Sequence, residues 1–533
     1  MRWSGLRGHG RWGAALLVVL LLAQMTFAMV TTALRQTPTI DEPVYVGTAV
    51  VQWREHTLRY NPEHPPLGKL LIGAGVGPAQ PRLEPPLPAD QGLLGRRLLY
   101  ESGNDPWRVM LFARLPVIAL TLLFGLVVFA FARELAGVAG GLAALALYAF
   151  SPDVVAHGSL ATLDVPAAGF LLTAAWLAWR ARRRPEVYLP LAGAALGAAV
   201  ATRMSALAAV PVLMALAVVS VRHARPGARA KAFAGAGVVV LTALAVVWAA
   251  YLVVDPRLRW APQQMPDLRG LRGVLVGLLP LPEPFRDGMR LQFALENRPW
   301  QGFLFGHLYD GSRWYYLPAA LLVKTPLGML ALWAAGAVAV AAVPRLRPAA
   351  PYVLLPAAVL LLAAMQGHRD FGTRYVVFLP MFLAVAAAGV LAAGRRWAPA
   401  SVAGLVLLVA VSSVRTYPFY LPYSNEAFGG PANTRFRLHD SNVDWGQDLG
   451  RLAERLRERY PGQRVWLVYK GSGVPAHYGI EAADPRRVPE SRVHGLLAVS
   501  DSAAAKARGP LAELLADSRP VEDVGHSITI YRR

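Results

Sequence analysis

The chain has 533 residues, of which 55% are hydrophobic and 16% are charged, and its formal net charge is +21. This composition argues against a soluble protein, because soluble cores stop growing and long chains split into domains instead of gaining apolar surface. The chain has no cysteine, which excludes disulfides and thiolate metal sites.

Apolar segments recur along the chain at roughly 20 residues each, the length that crosses a bilayer. We predict eleven spans, near residues 14–34, 109–132, 138–156, 163–180, 187–202, 204–221, 232–254, 315–343, 350–366, 372–394 and 398–416. The first span follows a basic N-terminus, as in a signal peptide, but it is long for one and no small-residue cleavage site follows. An uncleaved first helix is therefore favoured.

Short basic clusters separate many of these spans. The clusters are Arg2, Arg7 and Arg11; Arg180–Arg184; Arg222–Lys231; Arg345 and Arg347; and Arg395 and Arg396. With a cytoplasmic N-terminus, all of them fall on the cytoplasmic side, as the positive-inside rule requires. This distribution indicates a multi-pass protein of the cell membrane whose basic clusters contact anionic lipid headgroups instead of nucleic acid.

The same topology places two large loops, residues 35–108 and 255–314, outside the cell. It also places outside the last segment, residues 417–533, whose composition differs from the rest. Within that segment we predict helices over 446–460 and 503–516 and strands at 464–469, 495–500 and 527–531. The predicted organisation is a transmembrane domain over 1–416 and a small soluble α/β domain over 417–533.

Polar islands interrupt the apolar sequence on the predicted outer face. They are Asp41-Glu42; Glu63, His64 and Lys69; His157 and Asp164; Arg203; and His368 to Arg374. Each has a structural alternative: an acid can cap a helix, a His-Pro-Pro segment can be a rigid turn, and an arginine can extend to the headgroups. Their convergence on one face favours chemistry, with carboxylates as general bases or metal ligands and cations holding a phosphate.

Several of these segments resemble one enzyme family. Asp41-Glu42, the Pro-Glu-His-Pro-Pro-Leu-Gly-Lys segment at 62–69 and the segment from Ser151 to Pro166 are similar to the protein O-mannosyltransferase and aminoarabinose transferase superfamily. The resemblance is best over residues 35–210, and segments 302–326 and 441–448 are similar to a bacterial branch. It implies a mainly helical GT-C fold and a membrane glycosyltransferase that takes a sugar from a polyprenyl phosphate.

The resemblance also implies roles for individual residues. Asp41 would be the base that deprotonates the acceptor hydroxyl, Glu42 would position the acceptor, and Asp164 would shape the donor site. Glu63 would position the donor or bind a cation, and His64 would contact phosphate only if protonated. His157 lies in the matching segment, and we rank Lys69, Arg203, Lys324 and Arg374 as donor-phosphate candidates by charge and outer placement. These residues are the candidate catalytic and donor-binding set.

Some alternatives stay open from the sequence. A divalent metal could take part, with Glu63 and His368 as candidate ligands, although no tight ligand spacing is present. The acceptor could be a protein, a lipid or a glycan. A transporter or a glycan-exporting protein without transferase activity is the alternative function, but it would favour charges at the bilayer midplane and repeated halves. If the C-terminal domain selects the acceptor, a chain ending at Thr416 should still bind or hydrolyse donor but lose transfer to the acceptor.

Overall fold

The computed structural model describes residues 4–225, 227, 229–259, 268 and 270–533, with side chains from residue 12 onward. These residues form a mainly helical structure, as predicted. The helices before residue 255 are α1 Ser4–Arg35, α2 Glu42–Glu55, α3 Leu67–Val76, α4 Gln91–Arg96, α5 Pro106–Ala149, α6 Pro152–Gly158, α7 Asp164–Arg180, α8 Pro185–Thr202, α9 Val210–Ala224 and α10 Arg229–Val254. The later helices are α11 Leu271–Leu278, α12 Glu283–Glu296, α13 Tyr316–Lys324, α14 Leu327–Ala342, α15 Ala350–Ala364, α16 Phe378–Ala387, α17 Gly389–Ala392, α18 Ala398–Thr416, α19 Leu449–Arg459, α20 Asp501–Ala504 and α21 Pro510–Ala516.

Among the described residues, six helices are long and apolar enough to cross a membrane. They are Trp12–Arg35, Pro106–Ala149, Met204–Ala224, Arg229–Val254, Arg347–Ala364 and Ala398–Thr416. Each of the eleven predicted spans overlaps helical residues, so the multi-pass helical class is confirmed, while the number of crossings remains a prediction. The spans predicted over 138–156 and 315–343 are interrupted: in the first, α5 ends at Ala149 and α6 begins at Pro152, and in the second, α13 ends at Lys324 and α14 begins at Leu327.

Helix α5 is bent where the chain leaves helical geometry at Ala136 and Gly137. Gly137 has a φ of +71°, a conformation that glycine adopts without the strain that a side chain would impose. The bend divides α5 into two arms, and these correspond to two of the predicted spans.

The strands form two sheets. They are β1 Gln301–Leu304, β2 His307–Asp310, β3 Val465–Val468, β4 Ala482–Ala483, β5 Leu496–Ser500, β6 Arg519–Val524 and β7 Ile528–Arg532. The first two pair as an antiparallel hairpin, and the others form one mixed sheet in the order β4-β3-β5-β7-β6. Strand β3 is parallel to β4 and β5, whereas β7 is antiparallel to β5 and β6.

The C-terminal sheet has a hydrophobic cluster on each face. Leu467 of β3 packs with residues of α19 in one cluster, and Trp466 packs with residues of α21 in the other. The sheet therefore lies between helices, as the predicted α/β domain requires. The segment 417–448, which joins α18 to this region, contains only short 3-10 turns and packs on α13, where Asn425 donates to the carbonyl of Leu322 at 2.6 Å.

The elements that position the polar islands meet at one end of the helical bundle. Helix α2 starts at Glu42, α7 starts at Asp164, and α8 ends at Thr202, immediately before Arg203. Helix α3 approaches closely, because a Cβ added at Gly68 would lie 2.5 Å from a side-chain carbon of Leu163. The opposite end of the α7–α8 hairpin carries the basic residues 180–184.

Candidate active site

A cavity of about 740 Å³ lies where these elements meet. Asp41 and Asp164, which are far apart in sequence, both line it. Glu63, His64 and Arg203 line it as well, and Arg374 completes the set of predicted site residues on its wall. Six residues of the candidate set therefore share one cavity, as their common outer placement predicts.

Asp41 forms an ion pair with Arg374. The Asp41 Oδ2 lies 2.6 Å from a terminal guanidinium nitrogen of Arg374, and the two side chains are 29% and 10% exposed. Asp41 precedes the first residue of α2, and its side chain makes no capping hydrogen bond to that helix. The helix-cap alternative is thus not supported for Asp41, whose carboxylate is left to face the cavity.

Asp164 forms an ion pair with Arg203 at the same wall, with 3% and 16% of the two side chains exposed. The ring of Tyr375 lies near the arginines of both pairs. The guanidinium carbon of Arg203 is 5.5 Å from the Tyr375 ring centroid, and that of Arg374 is 5.1 Å from it. Two arginines from separate elements therefore flank one ring beside the cavity.

Glu63 and His64 line the cavity from the loop before α3. The carboxylate of Glu63 accepts a hydrogen bond from the side chain of Gln91 at 2.8 Å, and the backbone carbonyl of Glu63 accepts one from Gln292 at 2.9 Å. Burial, with Arg203 nearby, lowers the pKa of His64 well below its ordinary value. The ring of His64 is therefore neutral at physiological pH.

Helix α12 closes another side of the cavity. Arg369 donates through its Nε to the carboxylate of Glu296 at 2.6 Å and through a terminal nitrogen to Gln292 at 2.7 Å. Trp300 and Phe371 line the cavity beside this group, with their ring centroids 5.5 Å apart in an edge-to-face arrangement.

The opposite part of the wall is apolar. It is lined by Ala167, Ala168 and Leu171 of α7, Leu207 and Ala208, Leu360, Ala363 and Ala364 of α15, and Val377 and Phe378. These residues lie in or next to apolar helices, so the cavity joins a charged end to a hydrophobic end. Such a surface suits an amphipathic ligand.

Four of the predicted site residues do not line the cavity. Glu42 is fully buried and forms a bidentate ion pair with Arg114, with both N–O distances 2.7 Å. It also accepts the backbone N–H groups of Thr39 at 2.9 Å and Ala161 at 2.8 Å. These contacts favour a structural role that ties α2 to α5 and to the segment before α7.

Lys69 and Lys324 are also buried, and both donate to backbone carbonyls. Lys69 donates to Asn61 at 2.7 Å and to His64 at 2.6 Å, so it fixes the loop that presents Glu63. Lys324 donates to the carbonyl of Asn442 at 3.0 Å and lies 3.7 Å from Asp153. These positions favour structural roles for both lysines over phosphate binding.

His157 is buried at 1% exposure. Its ring packs edge-on against Trp445, with centroids 6.1 Å apart, and it does not border the cavity. Its predicted contact with the donor remains a prediction without geometric support.

The contacts of Glu63 and His368 do not support the predicted metal site. Within the described part of the chain, no group of three or more His, Asp or Glu side chains is arranged to hold a metal ion. His368 instead places its ring Nδ1 2.8 Å from the carbonyl oxygen of Glu296, and Glu63 is engaged with Gln91. The mechanism proposed below therefore uses no metal.

Several residues of this site were not predicted from the sequence. Tyr45, Gln91, Gln292, Glu296, Trp300 and Tyr375 all line the cavity. Tyr375 directly follows the predicted Arg374, so its position could have been inferred. The others lie in loops or helices without a distinctive motif, and no sequence signal marked them.

Part of the chain matches the model of a known protein family. The family model described as dolichyl-phosphate-mannose-protein mannosyltransferase matches residues 108–280. The predicted family resemblance is confirmed. The predicted class, a membrane glycosyltransferase, is also confirmed. A search of curated proteins gives no match.

Three solved structures are similar to the chain. ArnT from Cupriavidus metallidurans in the apo state aligns with 14% identity and a TM-score of 0.49, over 97% of this chain and 98% of that one. The same protein bound to undecaprenyl phosphate aligns with 13% identity and a TM-score of 0.46, over 96% and 97%. The Saccharomyces cerevisiae Pmt1-Pmt2 complex bound to its sugar donor aligns with 17% identity and a TM-score of 0.35, over 46% and 33%.

Proposed function

We propose that this protein transfers a sugar from a polyprenyl-phosphate donor to an acceptor hydroxyl outside the cell, with inversion and with Asp41 as the base. The observation that carries the proposal is the cavity itself, which brings Asp41 and Asp164 together at a charged end and continues into an apolar end. The matched family, whose name specifies a dolichyl-phosphate-linked mannose, supports a lipid-phosphate donor.

The donor fits the two ends of the cavity. Its prenyl chain would lie against the apolar wall of α7 and α15, and its phosphate would lie near Arg203 and Arg374. Both guanidinium groups flank Tyr375, and guanidinium groups bind phosphate oxygens through charge-assisted hydrogen bonds. Each arginine is paired with an aspartate, Arg203 with Asp164 and Arg374 with Asp41. Arg203 is the main phosphate ligand in this proposal, because Arg374 holds the carboxylate that takes the acceptor proton.

The reaction needs only one displacement. The acceptor oxygen forms a bond to the anomeric carbon while the bond from that carbon to the phosphate oxygen breaks. The electron pair of the broken bond stays on the phosphate, where an arginine stabilises the developing charge. The acceptor proton passes to Asp41, and attack opposite the leaving group inverts the anomeric centre.

Asp164 acts through Arg203 in this mechanism. The ion pair between them fixes the guanidinium at the junction between α8 and the following turn, which leaves less side-chain freedom to lose when donor binds. Asp164 is thus proposed to shape the donor site, while Asp41 carries the proton.

The charge distribution supports an extracytoplasmic site. Asp164 and Arg203 lie at one end of the α7–α8 hairpin, and the basic residues 180–184 lie at its other end. Basic residues are enriched on the cytoplasmic side of membrane proteins. We therefore propose a cytoplasmic N-terminus, with the cavity and the C-terminal region outside.

The test is to incubate the purified protein, in lipid nanodiscs and with a membrane extract that supplies the acceptor, with polyprenyl phosphates that carry different labelled sugars. We expect release of free polyprenyl phosphate that depends on one of these donors and is unchanged by a chelator. A nucleotide sugar serves as the control donor, since the site offers a lipid-binding wall instead of a nucleotide fold. Movement of an intact lipid-linked sugar without release of polyprenyl phosphate would contradict the proposal and favour a transporter.

A further inference from the structure

We infer that segment 440–448, and Trp445 in particular, positions the catalytic pair Asp41 and Arg374 from behind the cavity wall. The inference rests on the proposed function for the roles of Asp41 and Arg374. It assigns to the C-terminal region a part in the chemistry, beyond acceptor recognition or coverage of the site. Trp445 does not line the cavity, so it is a positioning residue.

The first group of contacts fixes the stretch that ends at Asp41. The backbone N–H of Ile40 donates to the carbonyl of Trp445 at 3.0 Å, and that of Thr37 donates to the carbonyl of Gln447 at 3.0 Å. The Thr37 hydroxyl donates to the carbonyl of Gly446 at 3.1 Å. Residues 445–447 of this segment therefore hold residues 37–40 through hydrogen bonds, and Asp41 is the next residue along the chain.

The second group of contacts fixes the loop that carries Arg374. Asn442 accepts the backbone N–H of Thr373 through its side-chain oxygen at 3.1 Å. Ser441 donates through its hydroxyl to the carbonyl of Phe371 at 2.7 Å. A Cβ added at Gly372 would lie 2.2 Å from the Ser441 hydroxyl oxygen, so the loop and the segment pack without a gap.

Trp445 connects the contacts that fix Asp41 with the contacts that fix Arg374. The guanidinium carbon of Arg374 lies 4.4 Å from the centroid of a Trp445 ring, within the range of an attractive cation–π contact. The indole fixes the guanidinium on one side, and Asp41 binds it at 2.6 Å. Because Trp445 is 1% exposed, the surrounding protein in turn fixes the ring.

Segment 440–448 is itself rigidly held. Asn442 donates to the hydroxyl of Tyr316 at 2.9 Å, and its carbonyl accepts from Lys324. The carboxylate of Asp444 accepts the backbone N–H groups of Gly446 at 3.1 Å and Ser502 at 3.2 Å. These contacts anchor the segment to α13 and to the C-terminal sheet region, so it can act as a fixed support.

The test compares Trp445→Leu with Trp445→Phe and with Trp466→Leu. Trp466 is the matched control, since it is also 1% exposed but packs under the C-terminal sheet, away from the cavity. In Trp445→Leu we expect kcat to fall by about 100-fold, the effect of a small misplacement of a catalytic group, while the KM for donor changes little. Trp445→Phe keeps a ring under Arg374 and should recover most of kcat.

A second readout does not depend on turnover. Hydrogen exchange at the backbone amides of Ile40 and Thr373 should become faster in Trp445→Leu, because these groups donate into segment 440–448. In Trp466→Leu the exchange of both amides should stay as in the unchanged protein, with kcat per folded molecule preserved.

Two results would overturn the inference. One is Trp445→Leu with kcat within about two-fold of the unchanged protein, since a misplaced catalytic group costs far more. The other is unchanged exchange at both amides. A different result would contradict the proposed function: neither the unchanged protein nor any variant would release polyprenyl phosphate. The exchange measurement would then still decide whether segment 440–448 holds residues 37–40 and 371–374.

Discussion

Asp41 and Glu42 are consecutive acids that occupy opposite environments. Asp41 faces the cavity, is 29% exposed and makes one ion pair, with Arg374. Glu42 is fully buried, and its two oxygens are taken up by Arg114 and by backbone N–H groups. The carboxylate of Asp41 can therefore still accept a hydrogen bond or a proton from a ligand in the cavity. Both oxygens of Glu42 are already engaged by protein groups.

This contrast separates a reactive carboxylate from a structural one. A base needs access to the proton that it removes, and only Asp41 has such access. Glu42 instead ties the start of α2 to α5, which fixes the backbone from which the Asp41 side chain extends. A buried carboxylate of this kind stabilises the fold only while its partners are intact.

The largest expected effect is the loss of activity in Asp41→Asn. The amide cannot accept the acceptor proton, so we expect transfer to fall by about 100- to 10,000-fold, the range for general-base catalysis. Release of polyprenyl phosphate from labelled donor measures the effect, and size-exclusion chromatography checks that the protein is still folded. The exposed Glu55 of α2 offers the control Glu55→Gln, and near-normal turnover in Asp41→Asn would remove Asp41 from the mechanism.

Glu42→Gln should act on stability first. Replacing the carboxylate leaves the Arg114 guanidinium buried without its counter-charge, and removing one partner of a buried pair costs about 3–5 kcal/mol. We expect a lower unfolding temperature in detergent, together with reduced yield. If Glu42→Gln kept its stability but lost transfer, the two acids would share one role and the contrast would be wrong.

Arg203→Gln tests the donor side of the cavity. Hydrogen bonds to charged groups contribute about 1.5–3 kcal/mol, so the KM for donor should rise by about 10- to 100-fold with a smaller change in kcat. Arg183→Gln is the control, because Arg183 is exposed at the opposite end of the α7–α8 hairpin. An unchanged KM in Arg203→Gln would indicate that the donor phosphate binds at another part of the cavity wall.

The smallest effect is expected from His64→Gln. Because the pKa of His64 lies well below its ordinary value, the ring gains no proton as the pH falls from about 8 to 6. The ring of the unfolded chain, by contrast, gains its proton near the ordinary pKa of about 6.5. The stability associated with the neutral ring is therefore complete near pH 8 and is lost progressively as the pH falls below about 6.5. The pH dependence of donor KM should match that of the unchanged protein, and a shift between the two profiles would show that His64 carries charge at the site.

Much of this arrangement could be predicted from the sequence. Span-length apolar segments indicated the helices, and the positions of the basic clusters placed Asp41, Asp164, Arg203 and Arg374 on one face. These predictions depend on local composition, which a single sequence displays directly. The convergence of both aspartates on one cavity followed from that common face.

The rest depended on partners that are remote in sequence. The role of Glu42 could not be predicted because its partner Arg114 lies inside a long apolar helix, where a charge gives no sign of what it contacts. Lys69 and Lys324 were ranked by charge as donor-phosphate candidates. The ammonium groups of both donate hydrogen bonds to backbone carbonyls, and composition does not reveal such contacts. Strand β6 was missed because most of its residues are polar or exposed, as at the edge of a sheet.

The pairing of Thr37 with Gly446 joins residues that are 409 positions apart, and it has a consequence for biosynthesis. A ribosome makes the acidic stretch early and segment 440–448 late, so a growing chain can occupy the membrane long before its active site is complete. On the inference above, a product that terminates at Thr416 inserts but does not consume lipid-linked sugar.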